Sequence, residues 1–189
     1  MTLFTPLSFV SSAKVLGIWL QTDLKWDGQV DHMWKNSNRR LFMLRSLKKF
    51  GFITSELVTV YRGYIRPMVE YSDVIWHSTL TSKQAIKLEN IQKRALRIIL
   101  GCNYVSYDNA LVVCNVDKLS DRREQHCLNF ARTLSKCDRT TKLLPPSRGQ
   151  AHGRQLRNNA NLSQLRARTD MFARSPVPYF VRLLNSKPS

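Results

Sequence analysis

Paired aspartates are missing from this sequence: no Asp-Asp or Asp-x-Asp occurs along its 189 residues. Two-metal phosphoryl transfer needs clustered carboxylates to hold the ions that align the attacking hydroxyl, so a self-contained site of that kind has no local signature here. Cysteines are few and scattered. Cys102, Cys114, Cys127 and Cys137 are separated by nine to twelve intervening residues with no Cys-x-x-Cys pair, which argues against a zinc site or a disulfide framework and fits reduced thiols inside a cell. His126 beside Cys127 lacks a second close ligand pair and reads as a helix-surface and core neighbour. No Gly-x-x-x-x-Gly-Lys loop or His-Glu-x-x-His occurs, and no nucleophile motif singles out a serine or histidine. No apolar run approaches the roughly 20 residues that span a bilayer. No basic residue precedes Lys14, so the charged start of a secretory signal and the arginines of a mitochondrial presequence are both absent. These absences leave no catalytic residue and no metal ligand to nominate, and they point to an intracellular chain of undetermined compartment.

Acidic residues are scarce as well. Thirteen Asp and Glu stand against 30 Lys and Arg, for a formal charge of +17. Such an excess favours a polyanionic partner, because each phosphate neutralised by a cationic side chain releases condensed counterions. Nucleic acid is the first candidate, and a membrane surface is set aside. With 43% hydrophobic residues the chain has enough apolar material for one core.

Apolar periodicity places the elements. Phe9 to Leu20, with Val15, Leu16, Ile18, Trp19 and Leu20 around Gly17, suits one or two short strands, followed by a loop at Gln21 to Lys25. Asp27 is a cap for a long helix reaching about Lys49, with Val30, Met33, Trp34, Ser37, Leu41 and Leu44 on one side and Lys35, Arg39 and Lys49 on the other. Leu57, Val60, Tyr61, Tyr64, Ile65 and Met68 form the stripe of a second helix that Pro67 kinks or ends. Thr81 or Ser82 caps a third, stopped by Gly101. It carries Leu88, Ile91, Ala95, Ile98 and Ile99 on one face and Lys83, Lys87, Arg94 and Arg97 on the opposite one. Tyr71, Trp76 and His77, in the turn before it, either stack on a base or lock the edge of the core.

A polar loop from Asn103 to Asp108 and the short apolar run Ala110 to Cys114 come next, then a further helix from about Lys118 or Ser120 to Lys136. Beyond Asp138 the composition shifts. Pro145-Pro146 ends regular structure, Ser147 to Asn161 is rich in Gly, Asn, Gln and Arg, and ten basic residues face the single Asp170 from Arg139 onward. The expectation for this tail is an extended or partly disordered segment.

Three of these stretches carry a resemblance. Lys14 to Trp26, Lys-Val-Leu-Gly-Ile-Trp-Leu-Gln-Thr-Asp-Leu-Lys-Trp, resembles the segment leading out of the palm in reverse transcriptases of non-LTR retrotransposons of the LINE/jockey-like kind. Arg66-Pro67-Met68-Val69-Glu70-Tyr71, Trp76 and Lys87 to Arg97 resemble the thumb that follows. Arg168-Thr169-Asp170-Met171-Phe172, Ser175-Pro176 and Asn185 resemble the family's C-terminal ending, with Leu184 where tryptophan is usual.

The resemblance implies a mainly α fold: a palm-to-thumb connecting β element at 1–25, a thumb-like helical bundle at 26–101, a post-thumb helical region at 102–137 and a basic, partly irregular tail at 138–189. Residues 1–13 read as the end of something larger, with palm and fingers preceding residue 1. Any magnesium would belong to that palm, leaving no cofactor for this chain and no polymerase activity of its own. The implied function is a fragment of an RNA-directed DNA polymerase that grips primer and template, as RNA–DNA hybrid or duplex, through backbone contacts without base preference. Candidate contacts are Lys35, Arg39, Lys49, Lys87, Arg94 and Arg97, with Arg166 and Arg168 of the tail adding affinity. The palm domain of a full-length polymerase is the other expected partner. The alternatives are a stand-alone protein-interaction module and a non-functional product of a truncated element.

Overall fold

The structure is a computed structural model that describes residues 9–152 and 159–186. The start of the expected N-terminal element, before residue 9, and the middle of the Gly- and Asn-rich stretch, at 153–158, lie outside the described residues. The protein is mainly helical behind a small hairpin, as its hydrophobic periodicity requires.

Strands β1 (Ser12–Val15) and β2 (Ile18–Gln21) pair antiparallel. Leu16 and Gly17 form the tip with φ of 48° and 86°, the mirror-image turn that matches the twist of a two-residue hairpin. A leucine in that conformation is strained. Its carbonyl is held by the Tyr71 hydroxyl at 2.8 Å, and a side chain on Gly17 would meet the Tyr71 ring at 3.3 Å, so this tyrosine pins the hairpin tip.

Helix α1 (Asp27–Lys49) starts without a side-chain cap. Asp27, expected to cap it, is instead its first residue, and its carboxylate accepts from Gln84 Nε2 at 2.7 Å. The carboxylate still favours the helix end electrostatically, while its hydrogen bonding is used between helices. Helix α2 (Thr54–Val60) passes through a wide π-turn at Tyr61–Ile65 into α3 (Arg66–Glu70). Pro67 therefore does not end the helix. The wide turn comes just before it, where the Arg66 amide reaches back five residues to the Tyr61 carbonyl. That turn also changes which residues face inward: Leu57, Tyr61, Ile65 and Val69 are buried at four-residue steps, whereas Met68 is half-buried and Tyr64 is exposed under the Arg40 guanidinium.

The short α4 (Asp73–Trp76) and a 3₁₀ turn lead to α5 (Ser82–Leu100). Its cap is Thr81, whose hydroxyl accepts from the Gln84 amide while Gln84 Oε1 accepts from the Thr81 amide at 2.9 Å. Gly101, at φ 57°, stops it. After α6 (Tyr107–Val113) comes α7 (Leu119–Lys136). One apolar core joins α1, the α2–α3 helix, α5, α6 and the start of α7.

The remaining elements are α8 (Asp138–Thr141), α9 (Arg148–His152), α10 (Asp170–Arg174) and α11 (Pro176–Ser186). Residues 142–147 and 159–169 lie outside helices, as a partly irregular tail requires, but the packed helices correct the expectation of an extended one. Phe180, Val181 and Leu183 of α11 pack on Cys127, Leu128, Ala131 and Leu134 of α7 in a second apolar cluster. The Asn185 side chain clasps the Leu162 backbone, accepting from its N–H at 2.9 Å and donating to its carbonyl at 3.0 Å. Composition averaged over fifty residues concealed this, because Val177 to Leu184 is a short apolar helix whose single charge is Arg182.

Candidate nucleic-acid interface

Helices α1 and α5 lie side by side and run parallel. Asp27 meets Gln84, Asp31 meets Lys87, Asn38 meets Arg94 at 2.6 Å, and Lys48 Nζ donates to the Ile99 carbonyl at 2.8 Å, so partners ascend together along both helices. The connection through α2, α3 and α4 returns the chain to the starting end.

This pairing aligns two stretches that lack acidic residues. None occurs from His32 to Ser55, and none from Asn90 to Tyr107. Brought together in parallel, they make α1 beyond Asp31 and the C-terminal half of α5 one acid-free basic slab. Here Lys35, Arg39, Arg45 and Lys49 of α1 are exposed and form no ion pair among the described residues. On α5, Arg97 stands over the Tyr104 ring at 5.2 Å and Lys93 over the Tyr107 ring at 5.1 Å. Arg94 reaches Asn38 and lies 5.4 Å from the centre of the Trp34 ring. These contacts orient the cations and leave their charge unneutralised.

The eight candidate residues are not equivalent. Lys35, Arg39, Lys49, Arg94 and Arg97 belong to the slab. Lys87 lies just outside it, salt-bridged to Asp31 beside Trp34, so its charge is already matched. Arg166 and Arg168 precede α10, which lines a crevice with Lys25, Asp27 and Gln84 at the N-terminal ends of α1 and α5. They sit at the opposite end from Lys49 and Arg97. Arg45 was not singled out from the sequence, although the absence of acids around it was a visible signal.

The aromatic turn takes the structural role. Trp76 is fully buried, with its indole N–H donating to the Tyr71 carbonyl at 3.0 Å, and has no face to offer a base. Beneath it, α7 docks through polar contacts. Arg122 binds Glu70 with two hydrogen bonds, of 2.6 and 3.3 Å, and Glu70 also pairs with Arg66. His126 Nδ1 and Asp73 share a hydrogen bond of 2.6 Å, and burial raises the Asp73 carboxyl above its ordinary value. Arg123, 1% exposed, approaches His77 and the Trp76 ring. Desolvation pushes the Cys127 thiol up to about 12, so no thiolate is available there at neutral pH. His126 and Cys127 are thus engaged in separate packing. Among the described residues no three His, Cys, Asp or Glu side chains converge as a metal site. No described helix is long and apolar enough to cross a membrane.

Fold and surface together define a mainly helical protein with a two-helix basic face. No family model, curated protein or solved structure matches this chain.

Proposed function

We propose that this chain is a nucleic-acid-binding helical module, equivalent to the thumb and post-thumb region of a non-LTR retrotransposon reverse transcriptase. The observation that carries the binding reading is the side-by-side alignment of the two acid-free stretches of α1 and α5. Lys35, Arg39, Lys49, Arg94 and Arg97 are its phosphate contacts, and Lys87 contributes less because Asp31 faces it. Cations on helix faces meet phosphates without reading base edges, as a clamp that must accept any primer and template requires. Support for the polymerase assignment is the resemblance of Lys14 to Trp26, of Arg66 to Arg97 and of the Arg168 to Asn185 segment. Polymerisation would need carboxylates from a palm outside this sequence. All four residues of β1 are exposed together with Val10 and Leu16, a surface suited to contact with such a palm.

The test is fluorescence anisotropy of the full chain with labelled RNA–DNA hybrid across a salt series. Affinity should fall steeply with salt, with a log-log slope of roughly −0.9 per phosphate neutralised on a B-form duplex and a comparable steep slope on the hybrid. Arg39→Glu should weaken binding more than Lys87→Glu. A flat salt response, or equal losses for the two reversals, contradicts the assignment.

A further inference from the structure

Within the slab, exposed apolar side chains stand among the cations. Phe42 is 69% exposed, in a helix whose inward positions are filled by Leu41 and Leu44. It follows Asn38 by one turn, and Asn38 marks the seam with α5 through its bond to Arg94. Arg39 precedes it by three residues and Arg45 follows by three, both exposed. The two arginines are thus separated by a rise of about 9 Å along the helix, with the phenyl ring between them. A second aromatic, Phe50, is 81% exposed directly after Lys49. Single exposed apolar residues are ordinary on protein surfaces. Two phenylalanines spaced among four exposed cations, in a stretch without an acid, are a different arrangement.

A duplex offers such a surface only phosphates and sugars, with its base faces closed by stacking, so a phenyl ring there gains little. An unpaired strand offers both a polyanionic backbone and free π-faces, and aromatic side chains interleaved with cations are how sequence-tolerant single-strand binding works. Building on the nucleic-acid reading of the same slab, we infer that the α1 ridge takes single-stranded nucleic acid, with a base stacked on Phe42 and the flanking phosphates on Arg39 and Arg45. The charge of the ridge selects the occupant: an apolar protein segment would cover the ring but leave the four cations unmatched.

The experiment compares wild type, Phe42→Ala and Phe42→Trp as full chains. The probes are fluorescein-labelled oligothymidylate, a strand of the same length built of abasic sites, and a duplex of that length. Circular dichroism melts confirm the fold, which an exposed side chain should not disturb. Phe42→Ala should weaken oligothymidylate binding roughly five- to hundredfold, the range for one base stacked on one aromatic ring. Its binding to the abasic strand and the duplex should be unchanged, and Phe42→Trp should keep or improve affinity for oligothymidylate. Equal losses on thymidylate and abasic strands, or no loss on either, overturn the inference while leaving the duplex-binding assignment intact. So does self-association of the wild-type chain that Phe42→Ala abolishes with strand binding unchanged, which would give the ring to a second copy. If wild type binds none of the three probes, the assignment itself fails and takes this inference with it.

Discussion

His77 illustrates how a single side chain ties acid stability to packing. Its ring lies edge-on to Tyr179 at 5.9 Å, and Arg123 Nε approaches its Nδ1 at 3.4 Å, with Glu124 the acidic group acting on it. Burial first, and the Arg123 charge second, lower its pKa from 6.5 to about 4. The folded state then binds fewer protons than the unfolded chain between these values, so stability is lost as pH falls from about 6.5 to 4 and changes no further for this group below that. The loss amounts to at most about 3 kcal/mol, reduced by whatever water reaches the ring edge. Urea midpoints measured at pH 7 and pH 4.5 should therefore differ more for wild type than for His77→Phe, which keeps the ring and removes the proton. Asp73 acts in the opposite sense, since burial raises its pKa and protonation relieves that cost. An unchanged pH slope in His77→Phe would assign the acid sensitivity elsewhere.

At the scale of elements, α11 is the clearest departure from expectation and the easiest to perturb. Phe180 is buried against Phe130, with ring centroids 5.7 Å apart, and is the largest of the buried α11 anchors beside Val181 and Leu183. Phe180→Ala should cost about 3–5 kcal/mol, the usual range for emptying an aromatic site in a core. It should also expose the segment after Lys136 to protease well before α1 and α5 are cut. A tail as resistant in this variant as in wild type would show that the Asn185 clasp and α10 suffice to hold it. The π-turn before Pro67 makes the same point about local signals. Proline announced a disturbance of the helix, but whether the chain stopped, kinked or widened depended on the core waiting for Tyr61, Ile65 and Val69.

For the molecule as a whole, a charge of +17 sets the proposed nucleic-acid binding and stability in opposition. Self-repulsion among cations opposes the compact state, and screening relieves it. The melting temperature of the free chain should rise as salt is increased over the range in which affinity for nucleic acid falls. A polyanion that binds only the folded state should raise it at low salt instead, in proportion to its occupancy. Differential scanning calorimetry with and without duplex would separate these effects. A free-chain melting temperature that falls with salt would mean that specific ion pairs such as Arg122–Glu70 outweigh the net repulsion.

The amino-acid sequence determined the helices near 27–49, 82–100 and 119–136, a cap at Thr81 or Ser82 and a stop at Gly101, short strand structure around Gly17 and the strongly basic character, because each follows from residues near one another along the chain. Lys35, Arg39, Lys49, Arg94 and Arg97 were legible as outward-facing cations for the same reason. Tertiary structure alone decided that α1 and α5 run parallel, that Asp31 faces Lys87 and discounts it, and that Arg123 is buried while its neighbour Arg122 pairs with Glu70. It also decided that α11 packs on α7 and that Phe42 is left among cations in the open. These facts join residues thirty to sixty positions apart, or depend on a neighbour being absent. Local propensity and periodicity encode which face of a helix is apolar, but the partner that covers that face, and the charge set beside it, are chosen by how the whole core closes.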